Sequence, residues 1–254
     1  MFHHEGSERS DRQNRLLAGY LAFVAGFVNS AGFISVGSFT SHVTGNVGRL
    51  ADDTALAQYQ AAFFAGAMVV AFFVGAFTAS MLLESNLLGK RPYTYGALLL
   101  LEAGLLITPI HFLPTFLSRP QDVQAAVLCM AMGMQNSFVT RLSGAVVRTT
   151  HLTGVLTDIG IESARWFRYA RSLAGQRGGV RLLLAKRAAE KPHFPKAALL
   201  ITVFGSFVLG SGHGAVLAVR FGHRALLFPA AALAVGGVLT LLSGREMVSA
   251  ESRK

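Results

Sequence analysis

Six apolar stretches, each close to twenty residues long, take up most of this chain: 16–34, 61–83, 93–112, 123–140, 197–219 and 225–242. A helix of that length crosses the roughly 30 Å hydrocarbon core of a bilayer. Within lipid, only helices and closed barrels can bond all of their own backbone groups. The expected fold is therefore all-α, a polytopic membrane helix bundle of about six transmembrane spans. Composition agrees, since 14% of the residues are charged against about 25% in a soluble domain. The 27 glycines and 19 phenylalanines suit helices that meet each other through small residues and meet lipid through bulk.

The formal charge of +10 does not imply nucleic-acid binding, because most of it sits in one place. Between Arg165 and Lys196 there are nine Lys or Arg and one acid, Glu190. Basic residues beside spans are retained on the cytoplasmic side. Arg9, Arg12 and Arg15 precede the first span, Lys90 and Arg91 follow the second, and Arg245, Arg253 and Lys254 follow the sixth. All these groups share one side if both termini are cytoplasmic. The expected layout is a cytoplasmic tail (1–15), a first three-span repeat (16–113), a second (123–242) with a basic cytoplasmic loop at 165–196, and a cytoplasmic tail (243–254). The first apolar stretch is longer than a signal-peptide core and reads as a retained span.

Two copies of one polar phrase interrupt this apolar background. The first contains Gly26, Asn29, Ser30, Gly37, Ser41, His42, Thr44 and Gly45. The second contains Gly133, Asn136, Ser137, Gly144, Thr150, His151, Thr153 and Gly154. The two Asn are 107 residues apart and the two His 109, so the chain reads as two halves of one design. With three spans per half, the second half enters from the opposite face, and the repeats are inverted. Transporters built this way hold their solute between the halves. Segments 36–58 and 141–164 are too polar for ordinary spans. They are either amphipathic helices at the two faces or re-entrant pieces, which need cover from protein or a water-filled cavity.

These segments supply the candidate solute- or ion-binding residues Asn29, His42, Thr44, Gly45, Asn46, Asn136, His151, Thr153, Gly154 and Asp158. A buried amide costs several kcal/mol (roughly 2–7) without partners, so each Asn must bond a neighbouring helix or a ligand. Gly after Thr permits a helix to end, freeing backbone groups to face a solute. On a helix, His151, Asp158 and Glu162 form one polar stripe, suited to a proton relay or a cation path, or to a solvated face at the membrane surface. Glu102 lies near the middle of the third span, where a carboxylate costs about 2.5–3.5 kcal/mol; it must be uncharged, paired or beside water, and it has no acidic counterpart in the sixth span. Gly19, Gly26, Gly205 and Gly210 read as packing notches. Arg165, Trp166, Arg168 and Arg171 combine cations and a ring in the manner of lipid-headgroup contacts.

No His or Cys spacing fixes a tetrahedral metal, no cofactor motif occurs, and the hydrolase, metalloprotease and phosphate-loop patterns are missing. An enzyme is not expected.

Residues Gly26 to Asn29 with Ser41 to Asn46, and Gly133 to Asn136 with Arg148 to Asp158, resemble the two signatures of the YoaK-like family. Its members are bacterial integral membrane proteins of unknown function, and the resemblance runs from about Arg15 to Leu242. It implies a multi-pass protein of the bacterial inner membrane and supplies no substrate. Members often carry Asp where this chain has Asn29, a departure that counts against a proton-carrying role at 29. The expected partners are the bilayer, anionic lipid at the basic loop, a small solute or ion, and, since six spans are few for a transporter, a second copy of the chain. The expected function is that of a small-solute secondary transporter or permease; a membrane scaffold or regulatory protein is the alternative.

Overall fold

The computed structural model describes residues 10–85, 91–111, 120–143, 149–174 and 194–251. Among these all regular structure is helical: α1 (Asp11–Val36), α2 (Val43–Ala55), α3 (Tyr59–Glu84), α4 (Arg91–His111), α5 (Pro120–Leu142), α6 (Leu152–Ala174), α7 (Phe194–Phe221), a 3-10 turn (Gly222–Leu226) and α8 (Leu227–Glu251). Lys90, Arg119, Gly144, Arg148, most of the basic stretch (175–193) and the last three residues lie outside the described residues.

Three helical stretches are long and apolar enough to cross a membrane: Asp11–Val36, Tyr59–Glu84 and Phe194–Gly244, the last running through α7 and the 3-10 turn into α8. A shorter apolar segment covers Tyr93–Thr108. The stretch at 123–140 is helical but is not among these, because Gln124, Gln135 and Asn136 lower its hydropathy. The outer surface is apolar, with Phe63, Phe73 and Ile201 more than 60% exposed, while Glu102 and Gln135 are buried. That reversal of the soluble pattern makes the chain a helical membrane protein.

Helix ends are set locally. α1 opens on a capping box in which Ser10 and Gln13 bond each other's backbone N–H (3.3 and 3.0 Å), satisfying donors that the helix cannot. It closes on Gly37, whose φ of +73° carries the left-handed turn, with its N–H on the Phe33 carbonyl. α2 closes the same way on Ala57 (φ +57°), with Gln58 N–H on Asp53 and Ala57 N–H on Thr54.

Packing pairs α1, α3 and α4 of the first half with α7, α5 and α8 of the second. α1 and α7 run parallel: a Cβ at Gly26 would overlap the Phe207 carbonyl, and one at Gly210 or Gly214 would overlap the carbonyl of Phe23 or Phe27. α3 and α5 repeat the arrangement, with Gly75 on the Met130 carbonyl and Gly133 on that of Phe72. Ser80–Ser137 (2.8 Å) and Glu84–Arg141 continue that parallel register. α4 and α8 cross antiparallel, Gly96 and Gly237 each facing the other's carbonyl. α1 meets α5 antiparallel, where Gln135 Nε2 donates to the Leu21 carbonyl (2.8 Å). Glycine brings the backbones this close by removing the side chain. Of the four expected notches, Gly26 and Gly210 meet backbone and Gly19 meets the side chains of Thr202 and Ser206. Gly205 has nothing within 4 Å, so the notch reading is corrected there.

Candidate functional site

Both polar segments turn the chain back into the bundle. Ser41 donates from its N–H (3.2 Å) and its hydroxyl (2.9 Å) to Asn29 Oδ1. Asn29 lies seven residues before the end of α1, so the chain has returned about 10 Å along the helix at 1.5 Å per residue. In the second half the Thr150 hydroxyl donates to Asn136 Oδ1 (2.8 Å), and Asn136 Nδ2 donates to the Met132 carbonyl (3.0 Å). Asn136 lies six residues before the end of α5, a return of about 9 Å. Each Asn therefore anchors a returning turn, tying the turn to the helix that precedes it. Beside these anchors the hydroxyls of Thr40 and Thr149 are buried without a hydrogen-bond partner among the described residues.

α2 and α6 then run outward again. α2 packs on α3, with Leu50 beside Gly66. α6 runs antiparallel to α7: Leu152 and Thr153 share a shallow pocket with Phe204, whereas Asp158 and Glu162 meet Lys196 near the start of α7 (3.7 and 3.8 Å). Thr44-Gly45 and Thr153-Gly154 stand in the first turns of these helices rather than at helix ends. The expectation of helix termination is thereby corrected: the free backbone groups at these positions are N–H donors, as at any helix start. Their glycines have a second role. A Cβ at Gly45 would fall within the His42 imidazole and one at Gly154 within that of His151, so each ring folds over the first turn of its own helix. His42, Thr44, His151 and Thr153 are exposed, Asn29, Asn136, Gly45, Gly154 and Asp158 half-buried, and Asn46 buried.

The stripe from His151 is broken, because His151 precedes α6 and only Asp158 and Glu162 share its face with Lys196. Glu162 is buried and bonds Arg165 (2.8 Å), which takes Arg165 into an ion pair and leaves Trp166, Arg168 and Arg171 exposed on α6. No group of three or more His, Cys, Asp or Glu able to hold a metal occurs among the described residues.

Glu102 is 1% exposed, forms no ion pair among the described residues, and its Oε1 has no hydrogen-bond partner. Its level follows from its neighbours. Leu99, one turn earlier on α4, and the Tyr20 hydroxyl both approach Gly236. Glu102 thus lies slightly beyond Tyr20 along the bundle, between the levels of Asn136 and Asn29. By the register of Gln135 on Leu21, those two anchors are separated axially by about 13 Å. Gln135, fully buried and bonded to α1, is the residue that sequence reasoning missed. Its one signal was a second amide beside Asn136 in an otherwise apolar stretch.

The fold and these buried polar groups define a helical integral membrane protein. The family model described as "Protein of unknown function (DUF1275)" matches residues 17–239, and the chain belongs to that family. No curated protein and no solved structure is detectably similar to it.

Proposed function

We propose that the chain is a small-solute permease of the bacterial inner membrane, with no enzymatic activity. Its six spans are α1, α3, α4, α5, α7 and α8, arranged as two inverted three-span repeats with both termini and the 165–196 loop cytoplasmic. The solute site lies between the two returning turns. The observation that carries this reading is the duplicated return, Ser41 on Asn29 and Thr150 on Asn136. Irregular backbone at such depth needs cover from protein or water, and inverted repeats join their broken segments at a central site. Parallel pairing of α1 with α7 and of α3 with α5 is what alternating spans require. The YoaK-like resemblance agrees with this membrane assignment.

Spin labels at Thr44 and Thr153 test the geometry. A separation well inside the bilayer supports a shared cavity, and one near its full thickness of about 30 Å removes it. Uptake of a solute panel into proteoliposomes tests the activity; no flux for any solute, with the short distance intact, would favour a scaffold. A specific observation gives that second reading its content: Phe167 is 68% exposed on α6 and Trp166 41%, beside Arg168 and Arg171, a surface suited to anionic lipid.

A further inference from the structure

We infer that the turn between α7 and α8 holds one acidic phospholipid, its phosphate on Arg224 and the top of an acyl chain in the cleft beside it. The site lies at the opposite end of α7 from the basic 165–196 loop, and it stands whether or not a solute crosses the protein.

The sequence puts charge where apolar length would leave none. From Phe194 to Gly244 the chain reads as one continuous apolar stretch, and it contains no Asp or Glu. Its cations beyond Lys196 are Arg220 and Arg224, one at the end of α7 and one in the 3-10 turn. Both are exposed, and neither makes an ion pair or hydrogen bond among the described residues. Retention of basic residues on the cytoplasmic side does not account for them, because they stand at the other end. Besides α7 and α8, the turn packs on α1 and α4. The acids of those helices are Asp11, at the far end of α1, and Glu102, buried nine residues before the end of α4.

Arg224 shares a cleft of about 340 Å³ with Phe221, Leu227 and Phe228, all three at least 40% exposed. Clefts of about 300–1,000 Å³ hold small organic ligands. The wall is held from behind. The Phe228 ring lies 6.5 Å from that of Phe27 on α1, itself buried, and 6.3 Å from that of Phe221. The turn opens on Gly222 and buries Ala225 and Leu226, which leaves Arg224 on the outside.

One cation on an otherwise apolar cleft, at the end of a membrane span, complements an acidic amphiphile. A guanidinium matches two phosphate oxygens at once, and its stem can lie along an apolar wall. Arg220, four residues earlier, adds a second positive charge at the same end. A soluble anion would gain from Arg224 but nothing from the rings. A neutral lipid would cover the rings and leave both arginines without a counter-charge. A second copy meeting this face on a two-fold axis would set arginines against arginines.

The test is fluorescence quenching in proteoliposomes of the full chain carrying Trp166→Phe and Phe228→Trp, so that the one Trp marks the cleft. Brominated phosphatidylglycerol should quench it several-fold more than brominated phosphatidylcholine at the same mole fraction. Arg224→Gln in that background should bring the two lipids level. Without the Trp substitutions, native mass spectrometry should find one phosphatidylglycerol fewer per chain in Arg224→Gln than in the parent. Equal quenching by the two lipids, a preference that survives Arg224→Gln, or an unchanged lipid count overturns the proposal. Displacement of the brominated lipid by inorganic phosphate also overturns it and assigns Arg224 to a free anion. Quenching by neither lipid overturns it as well, and cross-linking between chains through a cysteine at Leu227 would then assign the face to a second copy.

Discussion

Gly210→Ala tests, with a single methyl group, one of the close backbone contacts between helices. The residue lies inside α7, where Ala is favoured over Gly by about 1 kcal/mol in helix propensity, so a substitution judged on propensity alone should stabilise. The added Cβ instead falls on the Phe23 carbonyl oxygen of α1, a backbone atom that no rotamer change can move. Overpacking costs about 1–3 kcal/mol, and a backbone obstacle puts this site at the upper end. The net loss should be about 2 kcal/mol. Gly205→Ala provides the control five residues away on the same helix, because nothing lies within 4 Å of its Cβ position. That variant should gain up to about 1 kcal/mol from propensity, leaving the two roughly 3 kcal/mol apart. Equilibrium unfolding of the purified protein in mixed micelles measures both. Equal stability of the two variants, or a Gly210→Ala protein firmer than the parent, would refute the parallel α1·α7 contact. Gly75→Ala should behave like Gly210→Ala, since its Cβ meets the Met130 carbonyl in the same manner.

Asn29→Ala and Asn136→Ala should each lose about 0.6–1.7 kcal/mol, the range for interhelical hydrogen bonds in lipid. Each should also raise thiol labelling of a cysteine at the nearer turn (Thr44 or Thr153), with no change at the other. Gly45→Val and Gly154→Val should displace the His42 and His151 rings and reduce flux more than expression; equal losses of both would make the glycines purely structural. In a Cys129→Ser background, a cysteine at Ser172 should label only after the cytoplasmic side is opened. Labelling from the periplasm in intact cells would overturn the orientation drawn from the basic residues.

Apolar length made most of the bundle legible, because 16–34, 61–83, 197–219 and 225–242 fall within α1, α3, α7 and α8 apart from residues 225 and 226 in the 3-10 turn. The duplicated Asn-to-His phrase located the returning turns for a similar reason: a polar group repeated inside lipid must be bonded to something, and each Asn is. Which helices pair was not legible. Gly26 and Gly210 announce close contacts, but a glycine does not name the carbonyl that fills its notch, and Gly205 looks no different in the sequence while touching nothing. The role of Gly45 and Gly154 was hidden because their neighbour is the adjacent His ring, a local contact that depends on helix start rather than helix end. Gln135 was hidden by its company, since amides near Asn136 read as one polar patch until α1 supplies the Leu21 carbonyl.

The parallel pairing of α1 with α7 has a consequence for synthesis. Gly26 and Phe207, which meet in the finished protein, are separated by about 180 residues of chain. At about 5–20 residues per second, the first helix waits roughly ten to forty seconds in the bilayer before its main partner exists. During that interval its apolar side chains already face lipid, but Asn29 depends on the nearby Ser41 alone and the Gly26 notch stands open. A chain halted after α5 would hold α3 and α5 already joined and α1 bonded to α5 through Gln135, with the α7-facing side of α1 and the α8-facing side of α4 still open, so those two faces are the surfaces that insertion factors or quality-control proteases meet.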